Sequence, residues 1–137
     1  LINNIRVDLS TSQIFKVLVV EDNRINQLVT KKIMEKNLYK CCVVDDGYEA
    51  LKILETEIFD IILMDINMPL LNGFETTRLI PNKNITTPII ALTAFDKEEI
   101  SEEAISAGMN DIIIKPFDQS KLFKAMSTLI YDAKNVG

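Results

Sequence analysis

The chain has 137 residues, of which 47% are hydrophobic and 26% are charged, and its formal net charge is -5. This size and composition predict one globular domain with a substantial core. The acidic balance argues against a nucleic-acid or lipid-headgroup surface, because both require a basic patch. No apolar run approaches the roughly 18 residues of a membrane span, so no membrane contact is expected from this segment. Since the chain begins with Leu1 rather than Met, we expect a piece of a longer protein.

The chain contains no histidine, which removes several classes of site. Ser-His and Cys-His catalysis, histidine-ligated metals and a role as phosphohistidine donor are all excluded. Cys41 and Cys42 are adjacent, and neighbours in a strand point to opposite faces, so they are predicted not to pair with each other. Two unpaired, buried thiols are typical of a reducing compartment, which predicts a cytoplasmic location.

Five short apolar runs follow a polar, aperiodic stretch, residues 1–14, which is predicted to be a linker. The runs occupy residues 17–20, 41–44, 61–64, 89–92 and 112–114. They are continuous rather than alternating and rich in Val and Ile, as is typical of strands buried on both faces. A parallel sheet is therefore predicted, and the acidic end of its second strand, Asp45-Asp46, is expected at the sheet edge.

Helical spacing of apolar residues fills the gaps between the strands. One face is predicted for each of four helices, with the members Ile25, Leu28, Val29, Ile33 and Met34; Ala50, Leu51 and Leu54; Ile100, Ala104 and Ala107; and Leu122, Ala125, Met126, Leu129 and Ile130. A shorter helix is predicted over residues 73–80, ended by Pro81. Gly108 is the expected C-terminal residue of the fourth helix and Asp118 the N-cap of the fifth. Strands that alternate with helices predict an α/β, doubly wound, five-stranded parallel sheet with five helices.

Reactive side chains follow four of the five predicted strands. Glu21 and Asp22 follow the first strand, Asp65 the third, Thr93 the fourth and Lys115 the fifth. Ligands of doubly wound folds gather at the carboxyl ends of the strands, so these groups are expected to share one pocket. Each group alone is more simply explained as a turn, cap or surface residue. Their joint occurrence at four strand ends favours a functional site.

The predicted pocket suits phosphoryl chemistry on a carboxylate. Three carboxylates close together repel each other, and a hard divalent cation such as Mg²⁺ relieves that repulsion with oxygen ligands. Lys115 and Thr93 then offer an ammonium and a hydroxyl to phosphate oxygens. The remaining reactive group is a carboxylate, which can attack phosphorus and form an aspartyl-phosphate.

Four segments carry a family resemblance: "VLVVEDN", "DIILMDINMPLLNGFE", "PIIALTA" and "GMNDIIIKPF". Together they resemble the receiver domain of two-component response regulators, over about residues 15–132. The receiver domain is expected to span residues 15–134, with 135–137 as a C-terminal tail. The resemblance implies a flavodoxin-like sheet of order 2-1-3-4-5. "EDNRINQ", with Asn23 and Asn26, resembles the receivers of hybrid sensor histidine kinases. Such an origin implies a parent that is tethered to the membrane while this segment lies in the cytoplasm.

The resemblance also implies a role for each site residue. Asp65 would accept the phosphoryl group, while Thr93 and Lys115 would hold its oxygens. Mg²⁺ would be bound by four residues, namely Asp22 and Asp65 directly, Glu21 through water, and Asn67 through its backbone carbonyl.

Four positions are expected to tune the response, and Thr93 is one of them as a switch residue. Asn67 and Phe95, each two residues after a site residue, would flank the path of the hydrolytic water. Ile112 stands where family members usually carry Tyr or Phe, an aromatic that turns inward on activation. This departure leaves the chemistry intact and puts the usual readout in doubt.

The expected function is phosphorelay signalling, in which a histidine kinase or a histidine phosphotransfer protein phosphorylates Asp65. This segment would not itself be an enzyme, and neither nucleic-acid contact nor a particular oligomeric state is predicted. One alternative is a Mg²⁺-dependent phosphohydrolase with an aspartyl nucleophile, although Asn67 and Pro69 replace the second Asp and the Thr of that motif. The other is a degenerate receiver that acts only by binding a partner.

Overall fold

A computed structural model describes residues 7–8, 13–84 and 86–135. The strands are β1 (Val7–Asp8), β2 (Gln13–Ile14), β3 (Lys16–Val20), β4 (Lys40–Val44), β5 (Ile61–Asp65), β6 (Ile89–Thr93) and β7 (Asp111–Ile114). The α-helices are α1 (Arg24–Lys36), α2 (Gly47–Leu54), α3 (Gly73–Arg78), α4 (Lys97–Ala107) and α5 (Gln119–Lys134). A single 3-10 turn covers Asn82–Asn84.

The main sheet contains five parallel strands in the order β4-β3-β5-β6-β7. Numbered from β3, this is the order 2-1-3-4-5, so the predicted fold is confirmed, with the strand that ends at Asp45-Asp46 at the sheet edge. β1 and β2 form a separate antiparallel pair within the predicted linker, residues 1–14. The rest of that linker and residues 136–137 of the predicted tail lie outside the described residues, and the domain boundaries remain predictions.

Both faces of the sheet are covered by helices. Leu18, Ile62 and Met64 pack in one apolar cluster with residues of α2, α3 and α4. The alternate strand residues, such as Val19 and Leu63, pack in a second cluster with residues of α1 and α5. Every residue of β5 and β6 is buried, which explains why their sequences are apolar without alternation. A strand end in this sheet is therefore held firmly from both sides.

The helix ends follow local capping rules. Asp118 accepts hydrogen bonds from two backbone N–H groups of α5, and Gly108 ends α4 in the left-handed conformation at φ 107°. Both predictions are confirmed. Asn72 and Glu75 form a reciprocal capping box that fixes the start of α3. That helix ends at Arg78, two residues before the predicted end.

The predicted single apolar face of α1 is wrong. Ile25 is 71% exposed and Val29 is 50% exposed, and Leu28 is also exposed. The side of α1 that meets the sheet is formed by Gln27, Thr30 and Met34. Gln27 can take such a position because its side-chain hydrogen bonds are satisfied, as described below. Ile25, Leu28 and Val29 lie on the outer face. Within the described parts of the chain, no helix combines the length and the apolar character needed to cross a bilayer.

Candidate functional site

Three carboxylates meet at the carboxyl edge of the sheet. Glu21 and Asp22 follow β3, Asp65 ends the neighbouring strand β5, and one carboxylate oxygen from each lies within 4.8 Å of the others. Asp65 is only 5% exposed and Glu21 is also buried, whereas Asp22 is exposed. The predicted cluster of acids is therefore present, with two members withdrawn from water and one facing it.

Lys115 brings the end of β7 to this cluster. Its Nζ lies 3.1 Å from Glu21 Oε1 and 3.7 Å from Asp65 Oδ1. The side chain reaches past β6, the strand that lies between β7 and β5. One ammonium thus partly balances two buried carboxylates, and Lys115 lies in the same pocket as the acids, as the sequence predicts.

Thr93 ends β6 beside Asp65. The hydroxyl oxygen of Thr93 is a hydrogen-bond acceptor for the backbone N–H of Phe95 at 2.9 Å, and the backbone N–H of Lys115 donates to the carbonyl of Thr93 at 2.7 Å. Phe95 is 43% exposed on the loop after β6. Thr93 therefore links the β6 loop to the β7 loop directly beside the acids.

Two further predicted positions have different surroundings. Asn67 is exposed on the loop after β5, and its backbone N–H donates to Asp65 Oδ1 at 3.2 Å. Ile112 is buried in the cluster that includes residues of α4 such as Ala104. Ile112 is thus a core residue, unlike the polar residues at the carboxyl edge of the sheet.

Close backbone packing fixes the position of Asp65. Gly73 opens α3, and its N–H donates to the carbonyl of Ile66 at 3.0 Å. A Cβ added at Gly73 would lie 2.5 Å from the backbone oxygen of Asp65, too close for any side chain. The first turn of α3 therefore lies directly against the end of β5.

The surroundings of Asp65 raise the pKa of its carboxyl group to about 7, from the ordinary value of 3.8. Burial is the main cause, because it disfavours the charged form, and the negative charge of Glu21 adds to the effect. Lys115 and the N–H of Asn67 act in the opposite direction. The ionised form of Asp65 is therefore poorly stabilised by the protein alone.

The acid cluster fits a hard divalent cation. It presents three carboxylates, all oxygen donors within reach of a single ion, against the one ammonium of Lys115. Mg²⁺ is bound in proteins by a small number of carboxylates with water and phosphate oxygens completing its shell. The exposed position of Asp22 leaves one side of the cluster open to such ligands.

Sequence reasoning missed one buried polar residue at this edge. The side-chain Nε2 of Gln27 donates to the backbone oxygen of Glu21 at 2.6 Å and to Asp45 Oδ1 at 2.7 Å. A signal was available, because Gln27, Thr30 and Met34 follow the i, i+3, i+7 spacing of a helix face. The greater number of apolar residues elsewhere on α1 obscured it.

Sequence reasoning also missed a groove beside the acid cluster. This groove, of about 490 Å³, lies between α1 and the loop that joins β7 to α5. Its lining includes Glu21, Val29, Ile33, Lys115 and Phe117. The polar end of the groove is thus part of the site, and its other end is apolar.

Comparison with known proteins identifies the family. The model of the family described as response regulator receiver domain matches residues 17–127, which include Glu21, Asp22, Asp65, Thr93 and Lys115. The chain belongs to this receiver domain family. Two-component signalling is therefore the process in which this receiver domain takes part.

Similar proteins include longer sensor kinases and isolated receiver structures. The receiver domain is 41% identical over 108 residues to the autoinducer 2 sensor kinase/phosphatase LuxQ of Vibrio vulnificus, covering 78% of this chain and 13% of that protein. It is 34% identical over 135 residues to the hybrid signal transduction histidine kinase I of Dictyostelium discoideum, covering 90% of this chain and 8% of that protein. The receiver domain thus spans a small part of these relatives.

The solved structure of one receiver domain is also similar to this chain. The receiver domain of the sensor histidine kinase PA1611 from Pseudomonas aeruginosa matches with a TM-score of 0.80 and 36% identity. The match covers 87% of this chain and 99% of that one. The PA1611 structure has a magnesium ion coordinated in its active-site cleft.

We predict that Asp65→Asn stabilises the metal-free receiver domain at high pH. Because the folded state holds the Asp65 proton up to about pH 7, the free energy of unfolding of the parent should fall as pH rises from about 4 to 7. The free energy of unfolding of the variant lacks this fall and should exceed that of the parent by about 4 kcal/mol at pH 8, with little difference at pH 4. Urea denaturation in the presence of a chelator measures both values. Asp132→Asn, on the exposed side of α5, is the control and should follow the parent; a pH-independent gain for Asp65→Asn would contradict the prediction.

Proposed function

We propose that this receiver domain accepts a phosphoryl group on Asp65 from a phosphohistidine, in a Mg²⁺-dependent reaction. The donor is a histidine kinase or a histidine phosphotransfer protein. One observation carries the proposal: a buried aspartate at a strand end, in contact with an ammonium and flanked by two further carboxylates. The family membership of the chain supports the same conclusion.

The transfer is a single displacement at phosphorus. A carboxylate oxygen of Asp65 attacks in line, the bond from phosphorus to the histidine nitrogen breaks, and that nitrogen keeps the electron pair and takes up a proton from solvent. The nucleophile must be ionised, and its raised pKa means that it ionises fully only when positive charge is brought close to it. Lys115 supplies part of that charge.

The acid cluster would hold Mg²⁺, which when bound would supply the rest by neutralising carboxylate and phosphoryl charge. Asp22 and Asp65 would bind it directly, Glu21 through water, and Asn67 through its carbonyl. The close approach of the three carboxylates supports this set, and the magnesium found in the PA1611 receiver supports the choice of ion.

Lys115 and Thr93 would hold the phosphoryl oxygens after transfer. The Nζ of Lys115 already lies between Glu21 and Asp65, so it can pair with a phosphoryl group on Asp65 without a large movement. The Thr93 hydroxyl, which accepts from Phe95 N–H, keeps its own proton available to donate. Any response that Thr93 passes on differs from the family's usual one, since Ile112 provides no aromatic ring.

The groove beside the site would receive the donor protein. It joins Glu21 and Lys115 to the outer apolar face of α1, where Val29 is half exposed. A protein seated on that apolar surface can direct a phosphohistidine towards Asp65 along the polar end of the groove. Exposed apolar residues that continue into a reactive site are typical of such a contact.

The domain boundaries and the parent protein are part of the proposal. We place the receiver unit at residues 15–134, preceded by a linker and followed by a short tail. A hybrid histidine kinase is the proposed parent, because relatives such as LuxQ are far longer sensor kinases that contain the matching segment. We propose a membrane tether for the parent protein only because we propose that the parent is a hybrid histidine kinase.

Phosphorylation should add one phosphoryl group, on Asp65, when the protein is incubated with Mg²⁺ and phosphoramidate. Asp65→Asn keeps the size of the side chain and removes the nucleophile, so no label is expected. Intact-protein mass spectrometry followed by peptide mapping measures both. Asp132→Asn is the matched control and should label as the parent does. Full labelling of Asp65→Asn would refute the assignment, and turnover of an organic phosphate ester would favour the phosphohydrolase alternative.

A charge placed in the groove should slow phosphorylation by a donor protein and leave phosphorylation by phosphoramidate unchanged. We expect Val29→Glu to slow transfer from a phosphorylated histidine phosphotransfer protein by about tenfold, since burial of an unpaired carboxylate in the contact is costly. Labelling by phosphoramidate, which needs no protein contact, should be unchanged. Tyr131→Glu places the same charge on an exposed part of α5 and is the control. Equal slowing with both donors would mean that Val29 supports the site rather than the contact.

The lifetime of the phosphorylated state should depend on Phe95. A large apolar side chain beside Thr93 is expected to restrict the approach of the hydrolytic water, so Phe95→Ala should shorten the lifetime of phosphorylated Asp65. Release of inorganic phosphate from the purified phosphoprotein measures it. Leu79→Ala, an exposed apolar residue at the end of α3, is the control. An equal or longer lifetime in Phe95→Ala would show that the ring does not shield the site.

A further inference from the structure

Gln27 is a buried polar residue with an unusual pair of partners. It lies in the first turns of α1, is 8% exposed, and belongs to the side of the helix that packs on the sheet. Its Nε2 donates one hydrogen bond to the backbone oxygen of Glu21 and another to Asp45 Oδ1, at 2.6 Å and 2.7 Å. Both hydrogens of the amide nitrogen are therefore used.

These two bonds explain why an amide occupies a core-facing position. A buried amide without partners is costly, and a buried apolar side chain in its place would leave the carbonyl of Glu21 short of a donor. The neighbours Ile25 and Val29 are exposed, so apolar residues are available on this helix but do not take the position. The packing of α1 alone does not require a glutamine.

The partner carbonyl belongs to the peptide that leads into Asp22. The N–H of Glu21 donates to the carbonyl of Val44 at 3.2 Å, and the carbonyl of Glu21 accepts from Gln27. Both ends of Glu21 are thus fixed, together with the plane of the Glu21–Asp22 peptide. The Asp22 side chain is exposed, so its direction depends on the backbone that carries it.

The second acceptor ties a third segment to the same amide. Asp45 follows β4, and its backbone N–H donates to Glu49 Oε1 of α2 at 2.9 Å. Gln27 therefore joins α1, the loop after β3 and the loop after β4. The loop after β3 carries Glu21 and Asp22 of the acid cluster, and α1 lines the groove that Glu21 also borders.

We propose that Gln27 is a positioning residue for divalent-cation binding: its amide fixes the Glu21–Asp22 peptide so that the carboxylates of Glu21, Asp22 and Asp65 converge. The proposal rests on the Mg²⁺ role in the proposed function. Groups that orient metal ligands without touching the metal commonly contribute tenfold or more to metal affinity. Gln27 acts on affinity and not on the phosphoryl transfer itself, because it contacts none of the reacting atoms.

The test is a Mg²⁺ titration of Gln27→Met, which keeps the length of the side chain and removes both donors. The titration starts from the metal-free protein, and the change of its amide NMR shifts with added Mg²⁺ gives the Kd. In Gln27→Met this Kd for Mg²⁺ should rise about tenfold. The phosphoramidate labelling rate at saturating Mg²⁺ should match the parent's. Asp22→Asn removes a proposed direct ligand, so its Kd shows how much Mg²⁺ affinity is lost when a ligand itself is missing.

Asn84→Leu is a matched control. Asn84 is buried, and its Nδ2 donates to the backbone oxygens of Leu54 and Glu57, both at 2.9 Å, far from the acid cluster. This variant removes the same kind of bond and should leave the Mg²⁺ affinity unchanged. Equal weakening by both variants, or an unchanged Kd in Gln27→Met, would overturn the proposal.

Amide hydrogen exchange gives a readout that needs no metal. In Gln27→Met the amides of Glu21 and Asn23 should exchange faster, since the loop is no longer held, whereas Asn84→Leu should leave them unchanged. If Gln27→Met fails to fold, Asp45→Leu at an exposed position removes one of the two acceptors of Gln27. The same changes are then expected, with smaller size. A parent that binds no Mg²⁺ would refute the proposed function, while unchanged exchange would refute the positioning role by itself.

Discussion

Repulsion between like charges at one edge of the sheet is the constraint on which this structure depends. Parallel strand order brings Glu21, Asp22 and Asp65 within reach of one cation, and burial removes the water that would otherwise screen two of them. Lys115 offsets only part of the repulsion. The remaining deficit of positive charge makes the edge suited to a divalent ion and, in the proposed phosphoryl transfer, would link ionisation of Asp65 to the binding of that ion.

The apolar layers hold the acids in place against this repulsion. The central strands are covered on both faces, so the end of β5 cannot move without disturbing two cores. Local hydrogen bonds then set finer positions: Asn67 N–H on Asp65, Asn23 N–H on Glu21 Oε2, and the amide of Gln27 on the carbonyl of Glu21. At these residues, packing and hydrogen bonds of the fold therefore act against the mutual repulsion of the carboxylates.

Much of the fold and of the site could be predicted from the sequence because both depend on local patterns. Continuous Val- and Ile-rich runs gave the buried strands, and the residue after each run gave Asp65, Thr93 and Lys115. The outer face of α1 could not be predicted this way, because hydropathy counts apolar residues without knowing which polar ones find partners. Gln27 can be buried because Glu21 and Asp45 come from other segments to accept its hydrogen bonds, and hydropathy does not report such long-range pairing, even though the spacing of Gln27, Thr30 and Met34 fits a helix face.

The start of α3 has a directional consequence. Since there is no room for even one methyl group between Gly73 and the backbone of Asp65, the helix cannot approach the strand end any further. The backbone of Asp65 therefore has no free space on the side of α3. If Asp65 is phosphorylated as proposed, a change of shape that begins there is expected to proceed away from α3, towards the β6 and β7 loops that carry Thr93 and Lys115. The absence of a side chain at Gly73 would then set the direction in which a signal leaves the site.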